Sequence, residues 1–309
     1  MPILQFLGPQ RFRPTVSAAV EGAGIGGSLA VVTAGWQERE MEVEELEAHL
    51  GARTTNLALY RRHDEILRAD RALARALRKR QDRLRELQDL YRVRLAHEKA
   101  SVRALLAREG DESLLGPARD EAFAALRALD RHHLARVAEV HAEFDARVRP
   151  SERPAVARHR IEIAAAVAAS GAVLVAGGHV AILLNRMRLL DLGSLVRDKP
   201  IIAWSAGAMA LSDRVVLFHD APPQGSGDAE ILDFGLGLAP GVVVLPHARR
   251  RLRLDDPRRV TLLARRFEPA LCVPLDDGAR LVREGTAWTA GEGTGRLDAS
   301  GAWIAMGAR

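Results

Sequence analysis

The chain has 309 residues, of which 48% are apolar and 28% charged, and its formal net charge is +5. The length is about twice that of a usual single domain and the composition is that of a globular protein, which excludes a disordered chain and a disulfide-stapled miniprotein. Cys272 is the only cysteine, so an intrachain disulfide and a multi-cysteine metal site are excluded too.

The N-terminal part of the chain alternates between short apolar runs and a helical stretch. Ile3 to Leu7 and Leu29 to Thr33 are apolar runs that end near glycine, and PTVSAAVEGA lies between them. Fully apolar strands separated by helices predict a parallel sheet covered on both faces. The first residues lack a basic segment before a long apolar core, so we predict no signal peptide and expect a cytoplasmic location.

A long helical insertion is predicted next. Glycine and proline become rare from about residue 38, and apolar residues recur at spacings of three, four and seven, which predicts amphipathic helices. One helix is expected from Leu57 to Glu109, and EGDESLLGP is expected to form the turn to a second. We therefore expect an inserted, coiled-coil-like helical hairpin over residues 41–149, projecting from an α/β domain made of residues 1–40 and 150–309.

The sequence of the hairpin also indicates which kinds of partner the chain could bind. Its wide apolar stripes predict a homo-oligomer or a protein partner that contacts the hairpin. The first helix is basic, but charges of both signs mix on its polar faces, which favours a solvated surface over a nucleic-acid site. The spacing of His97, His132, His133 and His141 does not bring three of them onto one face, so no metal site is predicted.

The stretch from Ile163 to Leu184 is apolar enough to suggest a weak membrane span, since its only polar side chains are Ser170 and His179. Glycines after Ser170 and at Gly177 and Gly178 interrupt it, so the stretch is predicted to be helix, turn, buried strand and loop, with no membrane contact. Further apolar strands of this kind are predicted at 172–178, 200–205, 215–218 and 242–246. From Ala270 onward, short strands with turn residues predict a β-meander at the sheet edge.

The most specific motif is AWSAGAMAL, residues 203–211. An apolar strand leads directly into Ser205, and small residues and a helical pattern follow it. This is the layout of a nucleophile elbow, in which a strained serine is exposed at a tight strand-to-helix turn. The alternative is a serine that only caps the helix.

Other predicted strand ends supply partners for that serine. His247 follows the strand VVVLP, and Asp276 and Asp277 follow LCVPL. Strand ends of an open α/β sheet converge on one crevice, so these residues are expected to meet Ser205 there. The loop at Gly177 and Gly178 could add a backbone amide to an oxyanion hole.

These pieces resemble the cyanophycinase and aspartyl dipeptidase (dipeptidase E) group of serine peptidases, which share the class I glutamine amidotransferase-like fold. The matching segments are AGGHVAILLNRM, AWSAGAMAL, PHARRRLRL and LDDGARL, in the family's order. The resemblance covers residue 29 to the end without the hairpin, and it implies an α/β fold with a mostly parallel sheet.

The resemblance implies a role for each matched residue. The nucleophile, general base and acid would be Ser205, His247 and Asp277, and the oxyanion donors Gly178 and Ala206. Family members usually carry glutamate where Asp277 stands, so Asp220 and Asp276 are kept as alternative acids. The weaker substrate-binding candidates are His179, Arg249 and Arg251.

The sequence therefore favours a serine hydrolase that cleaves a peptide or isopeptide bond of a small-molecule peptide or amide substrate, with no metal or organic cofactor. A catalytically silent domain that binds or assembles through the hairpin is the alternative, and a nucleic-acid binder is the third. A glutaminase is disfavoured because Ser205 stands where that chemistry uses a cysteine thiolate.

Overall fold

The computed structural model describes residues 2–218 and 229–307. In this part of the chain thirteen strands are present: β1 (Leu4–Leu7), β2 (Leu29–Val32), β3 (Thr54–Asn56), β4 (Ala172–Val175), β5 (Ile201–Trp204), β6 (Arg214–Leu217), β7 (Glu230–Phe234), β8 (Val242–Pro246), β9 (Leu271–Leu275), β10 (Arg280–Glu284), β11 (Ala287–Ala290), β12 (Gly295–Leu297) and β13 (Trp303–Ala305).

Eleven α-helices connect these strands within the same described residues: α1 (Val16–Gly22), α2 (Glu44–Leu50), α3 (Leu59–Ala69), α4 (Arg71–Ala107), α5 (Glu112–Val148), α6 (Pro154–Ala168), α7 (Val180–Leu189), α8 (Leu192–Val196), α9 (Ala206–Leu211), α10 (Ala248–Arg251) and α11 (Pro257–Phe267). Short 3₁₀ segments lie at Ala34–Arg39 and Pro150–Glu152. None of these helices is both long enough and apolar enough to cross a membrane.

The central sheet has seven strands in the order β11-β10-β1-β5-β4-β2-β3. Strands β1 to β5 are parallel to one another, and β10 and β11 extend the β1 edge in antiparallel pairing. Neighbouring strand residues belong to different apolar clusters: Leu29 and Val31 pack in one, and Ala30 and Val32 in the other. Both faces of the sheet are therefore covered, which confirms the predicted fold class.

Several predicted strands lie outside this sheet. Strands β6 and β7 form an antiparallel pair, whereas β8 and β9 pair in parallel in a separate sheet with β12 and β13. The expected meander at the sheet edge is thus correct for β10 and β11 but wrong for β9 and β12, which lie in the separate sheet. The apolar runs correctly indicated burial, but an apolar run does not specify its partner strand.

The hairpin consists of α4 and α5. The expected continuous helix from Leu57 is interrupted at Asp70, whose side chain accepts a hydrogen bond from the amide of Leu73 and caps α4. The turn is shorter than expected, since Asp111 caps α5 and Pro117 lies inside that helix. Before the hairpin, β3 lies within residues 41–149 and pairs with β2 of the central sheet.

One side of the hairpin packs on the rest of the protein. Leu73, Phe123 and Leu126 belong to the same apolar cluster as the central sheet, and α11 and β7 contact both hairpin helices. In addition, the buried Arg266 of α11 is paired with Asp130 of α5. The hairpin therefore does not simply project from the sheet, and its treatment as a domain of its own stays a prediction.

Candidate active site

A cleft of about 1120 Å³ opens where the strands of the central sheet end. The residues that line it shortly after a strand are Pro9 and Gln10 after β1, Gly35 and Trp36 after β2, Gly177 and Gly178 after β4, Ser205 after β5, and His247 after β8. The carboxyl ends of parallel strands form the usual ligand crevice of an open α/β sheet. The cleft thus brings Ser205 and His247, predicted from two separate motifs, to one place.

Ser205 lies between β5 and α9 with φ 51° and ψ −121°. A positive φ is strained for a residue with a side chain, and it is the conformation expected at the apex of a nucleophile elbow. The Ser205 side chain makes no capping hydrogen bond to α9 in the described structure, so the helix-cap alternative gains no support.

Glycines on either side make room for the serine. A Cβ on Gly207 would lie 2.2 Å from the carbonyl oxygen of Val175, and a Cβ on Gly177 would lie 2.9 Å from the Cβ of Ser205. Real Cβ atoms do not approach other atoms this closely, so a larger residue at either position would displace the turn. The small residues of the two motifs are therefore a steric requirement of the contact between the β4 and β5 ends.

Two backbone segments beside Ser205 could hold an oxyanion. Ala206 is the first residue of α9, where amides have no partner inside the helix. Gly178 has φ 108°, and a Cβ there would lie 2.3 Å from the carbonyl oxygen of Gly35, so only glycine fits. Both residues line the cleft.

His247 lies at the end of β8, and its backbone amide donates to the carbonyl of Leu275 at the end of β9. Burial lowers the pKa of His247, the charge of Arg251 lowers it further, and the charge of Asp277 opposes both. The imidazole is therefore neutral at pH 7, which is the form that can accept a proton from a serine.

The three candidate acids differ in their surroundings. Asp276 accepts a hydrogen bond of 3.0 Å from the amide of Arg249, and burial raises the pKa of the Asp276 carboxyl. Asp277 is exposed, and it is the carboxylate whose charge acts on His247. Asp220 lies outside the described residues. In the described part of the chain no hydrogen bond joins the side chains of Ser205, His247 and Asp277.

Of the three weaker substrate-binding candidates, one lines the cleft and two do not. Arg251 is half-buried and lines the cleft, and burial lowers the pKa of its guanidinium. Arg249 and His179 are not among the described residues that line it. The Arg249 side chain is exposed near Asp276, while the imidazole of His179 accepts a hydrogen bond from the amide of Ile182 and caps α7.

Part of the cleft wall consists of residues that were not predicted from the sequence. Trp36 follows β2 and Arg11 follows β1, so the strand-end argument used for Ser205 could have found both. Glu230 at the start of β7 also lines the cleft, and its carboxylate accepts two hydrogen bonds, of 2.7 and 2.8 Å, from Arg92 of the hairpin. No local pattern links these two residues, because 138 positions separate them.

The single cysteine, Cys272, lies away from the surface. It is buried in β9, and burial raises the pKa of its thiol to about 12, so it is protonated at neutral pH. Among the residues that the structure describes, no group of three or more His, Cys, Asp or Glu side chains is arranged to hold a metal ion.

No family model matches the chain, and no curated protein matches it. Among solved structures, it is similar to the crystal structure of a peptidase from an acI-B1 Actinobacterium, with 14% sequence identity over 97% of this chain and 91% of that one, at a TM-score of 0.47. A likeness at this level carries no argument about function. The functional conclusion therefore depends on the residues of the cleft.

Proposed function

We propose that the chain is a serine-type hydrolase of the cyanophycinase and dipeptidase E kind, which cleaves a peptide or isopeptide bond. The observation that carries this proposal is the position of Ser205. It occupies a strained strand-to-helix turn with φ 51°, in a cleft that His247 also lines. A serine nucleophile and a neutral histidine base are the two groups that acyl transfer by this route requires.

The residues of the cleft supply each step. Ser205 Oγ attacks the carbonyl carbon of the scissile bond while His247 takes the hydroxyl proton. The amides of Gly178 and Ala206 donate hydrogen bonds to the oxyanion that forms. The intermediate then expels the amine, which receives its proton from His247, and water hydrolyses the ester by the same route. Asp277 stabilises the imidazolium through its charge.

The cleft also suggests what kind of substrate binds. Arg251 lines it with a half-buried guanidinium whose pKa is lowered by burial and by the charge of Arg250, so this cation lacks full compensation. A substrate carboxylate would supply the missing negative charge in a charge-assisted hydrogen bond. We propose a small peptide or amide with a free carboxylate near the scissile bond.

The direct test is labelling with a serine-reactive fluorophosphonate, followed by peptide mapping. Ser205 is expected to carry the label, and Ser205→Ala is expected to lose it without loss of folding. Ser101→Ala is the matched control, because Ser101 is an exposed serine on α4. Full labelling of the Ser205→Ala variant would show that the hydrolase proposal is wrong.

A second test separates the candidate acids. The loss of the orienting carboxylate of a serine triad lowers kcat by about 10⁴-fold. We expect Asp277→Asn to slow labelling more than Asp276→Asn or Asp220→Asn, because the charge of Asp277 acts on His247. A larger effect at Asp220 would transfer the role to that residue.

An assembly function is the second candidate, and exposed apolar side chains on the hairpin favour it. Leu90, Val93 and Leu114 are 66, 63 and 72% exposed, respectively. Apolar side chains left in water favour contact with another protein surface. Light scattering of the Leu90→Glu/Val93→Glu double variant tests this: a lower mass than that of the unchanged chain would support assembly through α4, and an unchanged mass would contradict it.

A further inference from the structure

A second cavity, of about 530 Å³, lies at the base of the hairpin. It is formed by α4, α5, α7, α8 and the segment that ends β7, and it shares none of its lining residues with the Ser205 cleft. Its volume is in the range of small-molecule sites. Three arginines line it: Arg80, Arg188 and Arg197.

The guanidinium of Arg188 already has hydrogen-bond partners within the protein. Its guanidinium donates to the carboxylate of Asp233 and to the carbonyl oxygen of Phe234, each at 2.5 Å. His141 lies 3.0 Å from the same carboxylate. Burial alone would raise the pKa of Asp233, but the hydrogen bond with His141 and the charge of Arg188 outweigh it and keep the pKa low. The charges of Arg188 and Asp233 therefore offset each other, and this group forms one wall of the cavity.

Arg80 is half-buried and has no such partner among the described residues. Its guanidinium carbon lies 4.5 Å from the ring centroid of Phe144, and Nη2 donates to the amide oxygen of Asn185 at 3.3 Å. The Arg80 Nε is buried and has no hydrogen-bond partner among the described residues. Burial lowers the pKa of Arg80 to about 10, and the positive charge of Arg188 contributes to this shift. The fold therefore holds a desolvated cation that is poorly compensated, which costs free energy.

The other charges around the cavity leave room for an anion. Arg197 lines it from the end of α8, and in the described residues no carboxylate lies within ion-pair distance of Arg80 or Arg197. Asp145 also lines the cavity, and the charges of Asp233 and Asp145 offset part of that of Arg80 from a distance. Asp191 lines the cavity as well, but its carboxylate is paired with Arg160 at 2.7 Å. Arg80 and Arg197 thus face two carboxylates, and neither carboxylate is within ion-pair distance of them in the described residues.

We propose that this cavity binds a small oxyanion, a phosphate or carboxylate group of a small molecule, with Arg80 as the main ligand and Arg197 as the second. The planar guanidinium presents paired N–H donors that match the oxygens of both groups. Bound there, the anion would accept hydrogen bonds from the guanidinium of Arg80 and compensate its charge. Asp145 weakens the site and limits it to strongly anionic ligands.

Calorimetric titration of the full chain tests the proposal. Inorganic phosphate, pyrophosphate and citrate are used in separate arms, with sodium chloride at matched ionic strength as the control. Saturable binding in the phosphate arms identifies a phosphate site, and binding of citrate alone identifies a carboxylate site. No saturable binding in any arm at about 10 mM, a concentration that detects even weak sites, would overturn the proposal.

Variants locate the site. Arg80→Met is expected to weaken binding by about tenfold or more, since a charge-assisted hydrogen bond is lost, and Asp145→Asn is expected to strengthen it. Arg94→Met, an exposed position on the same helix, is the matched control. Loss of binding in Arg251→Met but not in Arg80→Met would place the anion in the Ser205 cleft and contradict the proposal.

A folding defect in Arg80→Met would not remove the test, because two further variants address the same site. Arg197→Met is expected to weaken binding. Arg80→Lys keeps the positive charge but loses the paired N–H donors of the guanidinium, so this variant should bind the anion less tightly than the unchanged chain. Unchanged affinity in Arg197→Met, Arg80→Lys and Asp145→Asn together would show that this cavity is not the anion site.

Discussion

The buried pair between Asp130 and Arg266 offers a quantitative test of how the hairpin is held. Arg266 Nε and Nη2 donate to the two carboxylate oxygens of Asp130 at 2.7 and 2.8 Å. The Arg266 side chain is fully buried and that of Asp130 is 4% exposed. The hydroxyl of Tyr91 also donates to Asp130, at 2.7 Å, so α4, α5 and α11 meet at this carboxylate.

The substitution Asp130→Asn keeps the shape of the side chain and removes its charge. It removes the negative charge that is paired with the buried Arg266, and breaking a buried pair in this way costs about 3–5 kcal/mol. The remaining amide oxygen still accepts one hydrogen bond, so we expect a value of about 3 kcal/mol. Since domains are stable by about 5–15 kcal/mol, the variant should fold and should unfold at a lower urea concentration.

Urea unfolding, followed by tryptophan fluorescence, measures this loss. The matched control is Glu139→Gln, which removes the exposed pair of Arg136 and Glu139 on α5 and should cost less than about 1 kcal/mol. Tyr91→Phe should cost about 1–2 kcal/mol through its lost hydrogen bonds. If Asp130→Asn costs no more than Glu139→Gln, the hairpin is not held by this pair and the reasoning is refuted.

Two further predictions concern the cleft. Gly207→Ala places a Cβ 2.2 Å from the carbonyl oxygen of Val175. We therefore expect labelling by the serine probe to be lost, and the free energy of unfolding, measured with urea, to fall by about 1–3 kcal/mol. Full labelling would contradict the elbow geometry. Labelling needs a neutral His247, so its rate should rise with pH through a pKa below the usual histidine range. Arg251→Gln removes a charge that lowers this pKa, so the labelling rate should rise at a higher pH, whereas in Asp277→Asn it should rise at a lower pH. Shifts in the opposite directions in the pH–rate profiles would contradict the assigned charges.

The local sequence pattern determined which segments are buried and where the chain turns. The apolar runs at β1, β2, β4 and β5 were predicted correctly, and so was the pair of long helices. The serine turn was also readable, because Gly177 and Gly207 are required by contacts close to Ser205. Burial and turn geometry depend on neighbouring residues, so they leave a signal in a short window.

Only the tertiary structure decided which buried segments became partners. The runs at β8 and β9 look like strands of the central sheet but pair with each other, and the hairpin packs on α11 instead of projecting freely. The contact of Arg92 with Glu230 joins the hairpin to the cleft wall across 138 positions. The sequence of an apolar run does not specify which strand it pairs with, and the sequence around a surface arginine does not specify which carboxylate it binds. The choice is made by the summed packing of the whole chain, which no single window of sequence contains.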